Sequence, residues 1–273
     1  MTKTESRNEL LTHLEEIRKW EEDQKGLWFW ERISRLPFKI LDRLTPQLIH
    51  KKIGQALDEI GSYLQTGGKY LVSEKSITKR YEKKLNIEGI DLADIAKQPI
   101  AVMDEISDNI IASRAKIAMT QGATTGIGGL FTLTIDIPLI LGLSLKTLQE
   151  IALTYGFDPN DKRERVFIIK CLQFASSDIV GKKAIIEELA TYDEPNENVN
   201  RKMISQVQGW REVMVSYRDN FGWKKLLQMV PIAGILFGSF VNKSMIEDIG
   251  EAGKMLYKKR RILQKLENSV PQK

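Results

Sequence analysis

A chain of 273 residues with 42% hydrophobic and 28% charged residues carries enough apolar surface for a packed core, which excludes a disordered protein. The single cysteine, Cys171, excludes an intramolecular disulfide framework, and no Cys/His spacing suits zinc, so no metal and no cofactor is expected. A net charge of +5 suits nucleic acid and anionic lipid alike, so the placement of the charges has to choose between them.

The stretch from Met1 to Arg7 lacks the apolar core of a signal peptide, and a cytoplasmic protein is expected. Residues 7–25 place Leu10, Leu14 and Ile17 on one helical side, with Glu15, Glu16, Arg18 and Lys19 around the rest. Trp20, Leu27, Trp28, Phe29 and Trp30 follow, an aromatic concentration that fits an interfacial anchor or a core cluster. Thr45 and Pro46 read as an N-cap with proline at the first helical position, and Ile49, Ile53, Ala56, Leu57, Ile60 and Leu64 continue that helix until Gly67 and Gly68 stop it. Asp91 and Asp94 have the spacing of a capping box, with Asp in place of Glu. Pro99 restarts the chain into a helix carrying Val102, Met103, Ile106, Ile110 and Ile117, whose Asp104, Glu105 and Asp108 are expected to face water. Asp158 and Pro159 repeat the cap-plus-proline signal ahead of Val166, Ile169 and Leu172, and another helix is predicted from Asp178 to Tyr192. After the polar loop 193–198, helical patterning resumes at Val199 and runs towards Asn220.

No segment alternates with period two between hairpin turns, so the chain reads as all-α. The expected organisation is one domain over 1–273: N-terminal amphipathic helices over 7–90, a core over 91–260 and a short basic and polar tail over 261–273. At the centre of this multi-helix bundle two apolar Gly/Pro-rich helical hairpins are predicted.

The hairpins come from two runs that are uncharged but for one residue. Residues 117–145 contain one charge, Asp136, and exceed the roughly 20 apolar residues that a bilayer span needs. Gly122, Gly126, Gly128 and Gly129 dilute the first half, and Asp136 with Pro138 would set a carboxylate and a helix break near the middle, which favours a hairpin or re-entrant shape over a simple span. Residues 226–242 form the second run, interrupted by Pro231, Gly234 and Gly238. The pairs Gly122/Gly126 and Gly234/Gly238 would let helix backbones approach closely. Each run leads into an amphipathic helix that reaches a tyrosine, Tyr155 or Tyr257. Two readings stay open: a buried hairpin within a soluble helical protein, or insertion or docking at a membrane.

Lys224 and Lys225 precede the second run, and Lys254, Lys258, Lys259, Arg260 and Arg261 follow it on the last helix. That basic surface would suit anionic headgroups, although cations near a helix C-terminus also complement the dipole. Lys79, Arg80, Lys83 and Lys84 form a second basic face, but Glu74, Glu82 and Glu88 interrupt it and no nucleic-acid-binding module is present, so no nucleic-acid partner is expected.

Catalytic residues are not assigned. His13 and His50 lie in helical patterns without a nucleophile partner, and nucleophile-elbow, zinc-protease and P-loop motifs are absent. The best single carboxylate is Asp136, whose apolar setting would raise its pKa, although its place two residues before Pro138 is explained more simply as a helix cap.

Taken in order, the pairs Trp20/Glu21 and Trp30/Glu31, the glycines Gly126 to Gly129, Asp136 with Pro138, the stretch Ile151 to Phe157, the stretch Val230 to Gly234, Asn242, and Ala252 to Tyr257 with its trailing basic residues resemble the EcsC family. These are bacterial proteins named for the third gene of an ABC exporter operon. The resemblance implies an intracellular or membrane-peripheral protein linked to transport, secretion or envelope stress, and brings no established activity. The expected function is that of a non-enzymatic accessory or adaptor protein at the inner face of the cell membrane, with anionic lipid or a membrane protein such as a transporter as partner. A soluble protein holding a lipid-like or peptide ligand between its hairpins is the alternative, and an unrecognised hydrolase the third reading.

Overall fold

The computed structural model describes residues 5–23, 55, 58–67, 72–125, 137–176, 179–190, 192 and 242–269. Its helices are α1 (Arg7–Asp23), α2 (Glu74–Leu85), α3 (Leu92–Lys97), α4 (Ile100–Thr125), α5 (Ile137–Thr154), α6 (Lys162–Ser176), α7 (Ile179–Ala190) and α8 (Asn242–Asn268), with a further helical segment over 58–66. Among the described residues there is no strand, and the protein is an all-α bundle.

Helix ends follow local chemistry. Ser6 and Glu9 form a reciprocal capping box at α1: the Glu9 amide donates to the Ser6 hydroxyl and the Ser6 amide to the Glu9 carboxylate. Asp91 accepts from the Asp94 amide at 2.8 Å, as its spacing predicts. The Pro99 carbonyl accepts from Val102 and Met103 at the start of α4. Helix 58–66 stops at Gly67, whose φ of 77° only glycine adopts readily. α5 ends in the same way at Gly156, φ 76°, where Gly156 donates to Leu153 and Phe157 to Ala152. A Cβ on Gly156 would lie 2.9 Å from the Ala96 backbone, so this turn needs glycine for space as well as for its dihedral.

Three long helices make the core. α4 runs antiparallel to α8: Ala115 and Ala118 pack with Ile246, Ile111 with Gly250, Asp108 pairs with Lys254, and Asp104 with Lys258. Each turn forward along α8 therefore meets one turn back along α4. α5 is antiparallel to α4 in turn, since Arg114 pairs with Glu150 and Tyr155 donates to Asp104. α8 nests between them because its contact face is small: a Cβ on Gly250 would come within 2.6 Å of Ile111 Cγ1, and one on Gly253 within 2.5 Å of Leu148 Cδ2. The Ile111 clash is the harder one to relieve, because a β-branched side chain has little rotamer freedom in a helix. α6 covers the side of α8, with Phe167 against Tyr257, α7 packs on α6, Tyr192 after α7 lies under Arg260, and α1 lies along α8, where Trp20 donates to Glu251.

Several expectations are corrected. Asp158 and Pro159 do not open α6; Asp158 accepts from the Asn160 amide in a turn, and Asp161 accepts from the Arg163 amide at the helix start. The helix expected from about Asp178 to Tyr192, by contrast, is present as Ile179–Ala190. Asp104 does not face water, because it lies on the same face as Met103 and Ser107 at the contact with α8. No tail begins at residue 261: α8 continues to Asn268, and Ile262 is fully buried. The helix predicted after Thr45 up to Leu57, His50, the polar loop 193–198 and the patterning from Val199 to Asn220 lie outside the described residues, apart from Gln55.

Candidate functional site

The two ends of the three-helix core differ in chemistry. One end holds the start of α4, the end of α5 and the end of α8, and here the basic residues of α8 turn inward. Lys258, Arg260 and Arg261 are 4%, 6% and 9% exposed, which corrects the expectation that they form a basic surface. The reason is their spacing: on a helix packed against α1, α4, α5 and α6, these consecutive positions point at different neighbours, and each neighbour supplies an acceptor.

Arg260 forms a two-pronged pair with Glu164 of α6 at 2.8 and 2.9 Å, and its guanidinium lies 4.1 Å from the Phe167 ring centre and 4.2 Å from that of Phe157. Tyr257 donates to the same carboxylate at 3.3 Å. Arg261 donates to the carbonyls of Tyr155 and Gly156, and so holds the open carbonyls at the end of α5. Lys258 reaches Asp104 at 2.8 Å, and Tyr155 donates to the other oxygen of that carboxylate at 2.6 Å. On the opposite side Lys258 meets Glu16, whose carboxyl lies below the usual range because His13 hydrogen-bonds it, with the Lys258 charge adding to the effect. Burial pushes the Tyr155 and Tyr257 phenols and the Cys171 thiol far up, so all three stay protonated. Glu5 completes this end, accepting from the Ile100 amide at the start of α4 and from Lys265 of α8. Lys259 pairs with Glu21 at 2.7 Å, and Lys254, on the edge of the core, with Asp108 at 2.7 Å. The two tyrosines singled out by the sequence are therefore polar anchors of the core.

The other end brings together the end of α4 and the starts of α5 and α8, locked by Ala115, Ala118 and Ile246 with Leu143 against them. The run 117–145 leaves α4 here after Thr125 and re-enters at Ile137 of α5, and the run 226–242 enters α8 here at Asn242. α1 arrives at this end as well. Trp20 donates to Glu251 at 2.9 Å, so α1 finishes at Asp23 beside the first turns of α8, and Leu27, Trp28, Phe29 and Trp30, which lie outside the described residues, follow it closely in sequence. Gly122 lies in the last turns of α4 and Pro138 in the first turn of α5, where proline costs no hydrogen bond. Gly126, Gly128, Gly129, Asp136, Lys224, Lys225, Pro231, Gly234 and Gly238 lie outside the described residues. No helix among the described residues is long and apolar enough to cross a membrane. Met119, one turn beyond the Ala115 layer, is 53% exposed.

A second polar cluster near this end was not found from sequence. Lys182 of α7 is buried, with its nitrogen 5.4 Å from the Phe174 ring centre, and Phe174 packs on Trp20 at 5.5 Å. Burial lowers the Lys182 pKa to about 8, partly offset by Asp248 and Glu251. Burial raises the Asp248 pKa to about 7, assisted by Glu251, and its Oδ2 atom is buried without a hydrogen-bond partner among the described residues. The available signal was a lysine and an aspartate each set among isoleucines on amphipathic helices, a pattern shared with many solvated faces.

The sequence is 56% identical over 267 residues to YdbA of Bacillus subtilis, an uncharacterised protein, covering 97% of each chain. It is 24% identical over 229 residues to Protein EcsC of Bacillus subtilis, covering 84% of this chain and 85% of that one. No solved structure matches it. The family model of the EcsC protein family matches residues 12–262, nearly the whole of the bundle described above, and the chain belongs to that family.

Proposed function

We propose that this protein is a non-enzymatic accessory or adaptor protein that works at the inner face of the cell membrane, docking through the end of the bundle where its apolar runs attach. One observation carries the reading: the two runs and the aromatic stretch after α1 all join described helices at the same end of the core. A soluble protein gains nothing from gathering its longest uncharged segments on one side, whereas a membrane surface binds such a side through apolar burial. The Gly/Pro-rich composition of the runs suits shallow insertion, in which backbone groups still reach water or neighbouring protein. A transporter or another membrane protein is the partner that an adaptor in this position would meet.

The test is fractionation of the untagged protein, followed by flotation of the purified full chain with phospholipid vesicles. The expected outcome is a membrane-bound fraction and flotation with vesicles. A protein that stays entirely in the cytosolic fraction and does not float with any vesicle overturns the reading and moves the apolar runs to a ligand pocket or a buried core.

A further inference from the structure

We infer that Lys116, Lys146 and Lys243 form a collar that binds the phosphate groups of anionic phospholipids and sets the depth at which the run-bearing end docks. This rests on the membrane reading and names its lipid partner. The three lysines sit on α4, α5 and α8, within about one turn of the Ala115–Leu143–Ile246 layer, a spread that a rise of about 1.5 Å per residue keeps near the reach of a lysine side chain. All three are exposed. Each also bounds one of the two apolar runs, so basic charge begins where the apolar sequence stops.

Their surroundings separate them from the other lysines of the core helices. Lys254, Lys258, Lys259 and Lys265 of α8 each pair with a carboxylate of α1 or α4 or of the turn before α1. Lys116 and Lys146 make no ion pair among the described residues, and Lys243 has only Glu247, one turn away on its own helix at 3.4 Å and itself 44% exposed. An exposed pair of that kind contributes little and yields readily to a denser charge. Three positive charges on three helices around one end match a negatively charged plane, whereas a groove-shaped or single-file ligand would need them on one side. Long apolar-stemmed lysines at this level can lie along the bundle and present their ammonium groups to phosphates while the apolar runs enter the leaflet.

The experiment is flotation of the full-length protein with vesicles of phosphatidylcholine alone and of phosphatidylcholine mixed with phosphatidylglycerol. Three proteins are compared: the parent, the collar variant Lys116→Gln/Lys146→Gln/Lys243→Gln, and a control, Lys75→Gln/Lys79→Gln/Lys83→Gln, which removes three exposed lysines from α2. α2 packs on the last turn of α5, at the far end of the core, through the Tyr81 hydrogen bond to the Thr154 carbonyl. The parent should prefer the anionic vesicles. The collar variant should lose affinity for them on the order of a hundredfold, at about a fivefold loss per lysine, while the control stays close to the parent. A collar variant that binds anionic vesicles as well as the parent, or a control that loses as much, overturns the collar and leaves membrane docking standing. A parent that floats with neither vesicle overturns the docking reading itself and the collar with it. Far-UV circular dichroism of the collar variant should match the parent, because all three side chains are solvent-exposed.

Discussion

The two ends of the core put the same residue types to opposite uses. At the end built from Glu5, Asp104, Tyr155, Glu164 and the α8 residues Lys258, Arg260 and Arg261, every cation meets a carboxylate or a helix-end carbonyl and is taken out of water. At the other end Lys116 and Lys146 stay in water, Met119 is largely exposed, and an Asp248 oxygen is buried without a hydrogen-bond partner among the described residues. A charge drawn inside a bundle is tolerated only when its partner's geometry is good, so the first end is specified tightly. Among the described residues the second end has the pair of Arg114 with the buried Glu150 beside its layer, while its outermost lysines are left in water. Buried paired charges and exposed lysines are thus divided along the helix axis, and the division can be broken from either side.

The largest effect is expected at the tethered end. Glu164→Gln removes the carboxylate from a guanidinium that is 6% exposed and held between aromatic rings, and should cost about 3 kcal/mol or more of folding stability. Urea denaturation would show it as a lower midpoint. A loss under about 1 kcal/mol would mean that the cation–π contacts alone hold Arg260 and that this end is less dependent on its ion pair than its geometry indicates.

Much of this division was legible in the sequence, and the rest was hidden for physical reasons. The capping pair Asp91/Asp94, the stop at Gly67 and the restart at Pro99 rest on local rules, which act within a few residues, and they hold in the structure. The limits of both apolar runs were visible as gaps between charges. What periodicity could not reveal was the direction of Lys258, Arg260 and Arg261. A run of basic residues at the end of an amphipathic helix looks solvated unless the acids that meet it are known, and those acids, Glu164, Asp104 and Glu16, lie about 100 to 240 residues away in sequence. Asp104 was misplaced for the mirror-image reason, since its lysine was just as remote. The cluster of Lys182 with Asp248 escaped because its perturbation comes from burial against Phe174 and Trp20, which only the packing of α1 and α6 creates.

That cluster predicts a pH dependence located at the run-bearing end. The folded pKa of Asp248, about 7, exceeds its ordinary value of 3.8, so between those values the folded protein holds a proton that the unfolded chain has released. Its contribution therefore favours folding at low pH and is lost as pH rises towards 7. Lys182 is shifted the other way, to about 8 from 10.5, so the unfolded chain binds the extra proton above pH 8 and stability recovers from there upward. Together the two groups place a minimum in their stability contribution between about pH 7 and 8. Asp248→Asn should remove the decline on the acid side and raise stability at pH 7.5 by about 1 kcal/mol, a figure discounted because the carboxylate is only partly buried. Urea denaturation of parent and variant from pH 5 to 9 reads both. Parallel stability curves for the two proteins would show that Asp248 titrates normally and that this end stores no electrostatic cost.

The smallest effect is expected one turn from one of the largest charge networks. Lys254 and Lys258 occupy successive turns of α8 and each reaches an aspartate of α4, at 2.7 and 2.8 Å. Distance alone would rank them equal. Lys258 is 5% exposed at its side chain and Asp104 19%, with Tyr155 donating into the same carboxylate, whereas Asp108, the partner of Lys254, is 61% exposed. Water screens the second pair and side-chain ordering offsets most of what it gains, so Lys254→Ala should shift stability by no more than about 0.5 kcal/mol. Lys258→Ala should cost several times as much, because it leaves Asp104 to a tyrosine in a poorly solvated site. Measuring the two variants side by side in urea locates the boundary between the two ends on α8. Equal losses would place Lys254 inside the tethered network and move that boundary at least one turn towards Ile246.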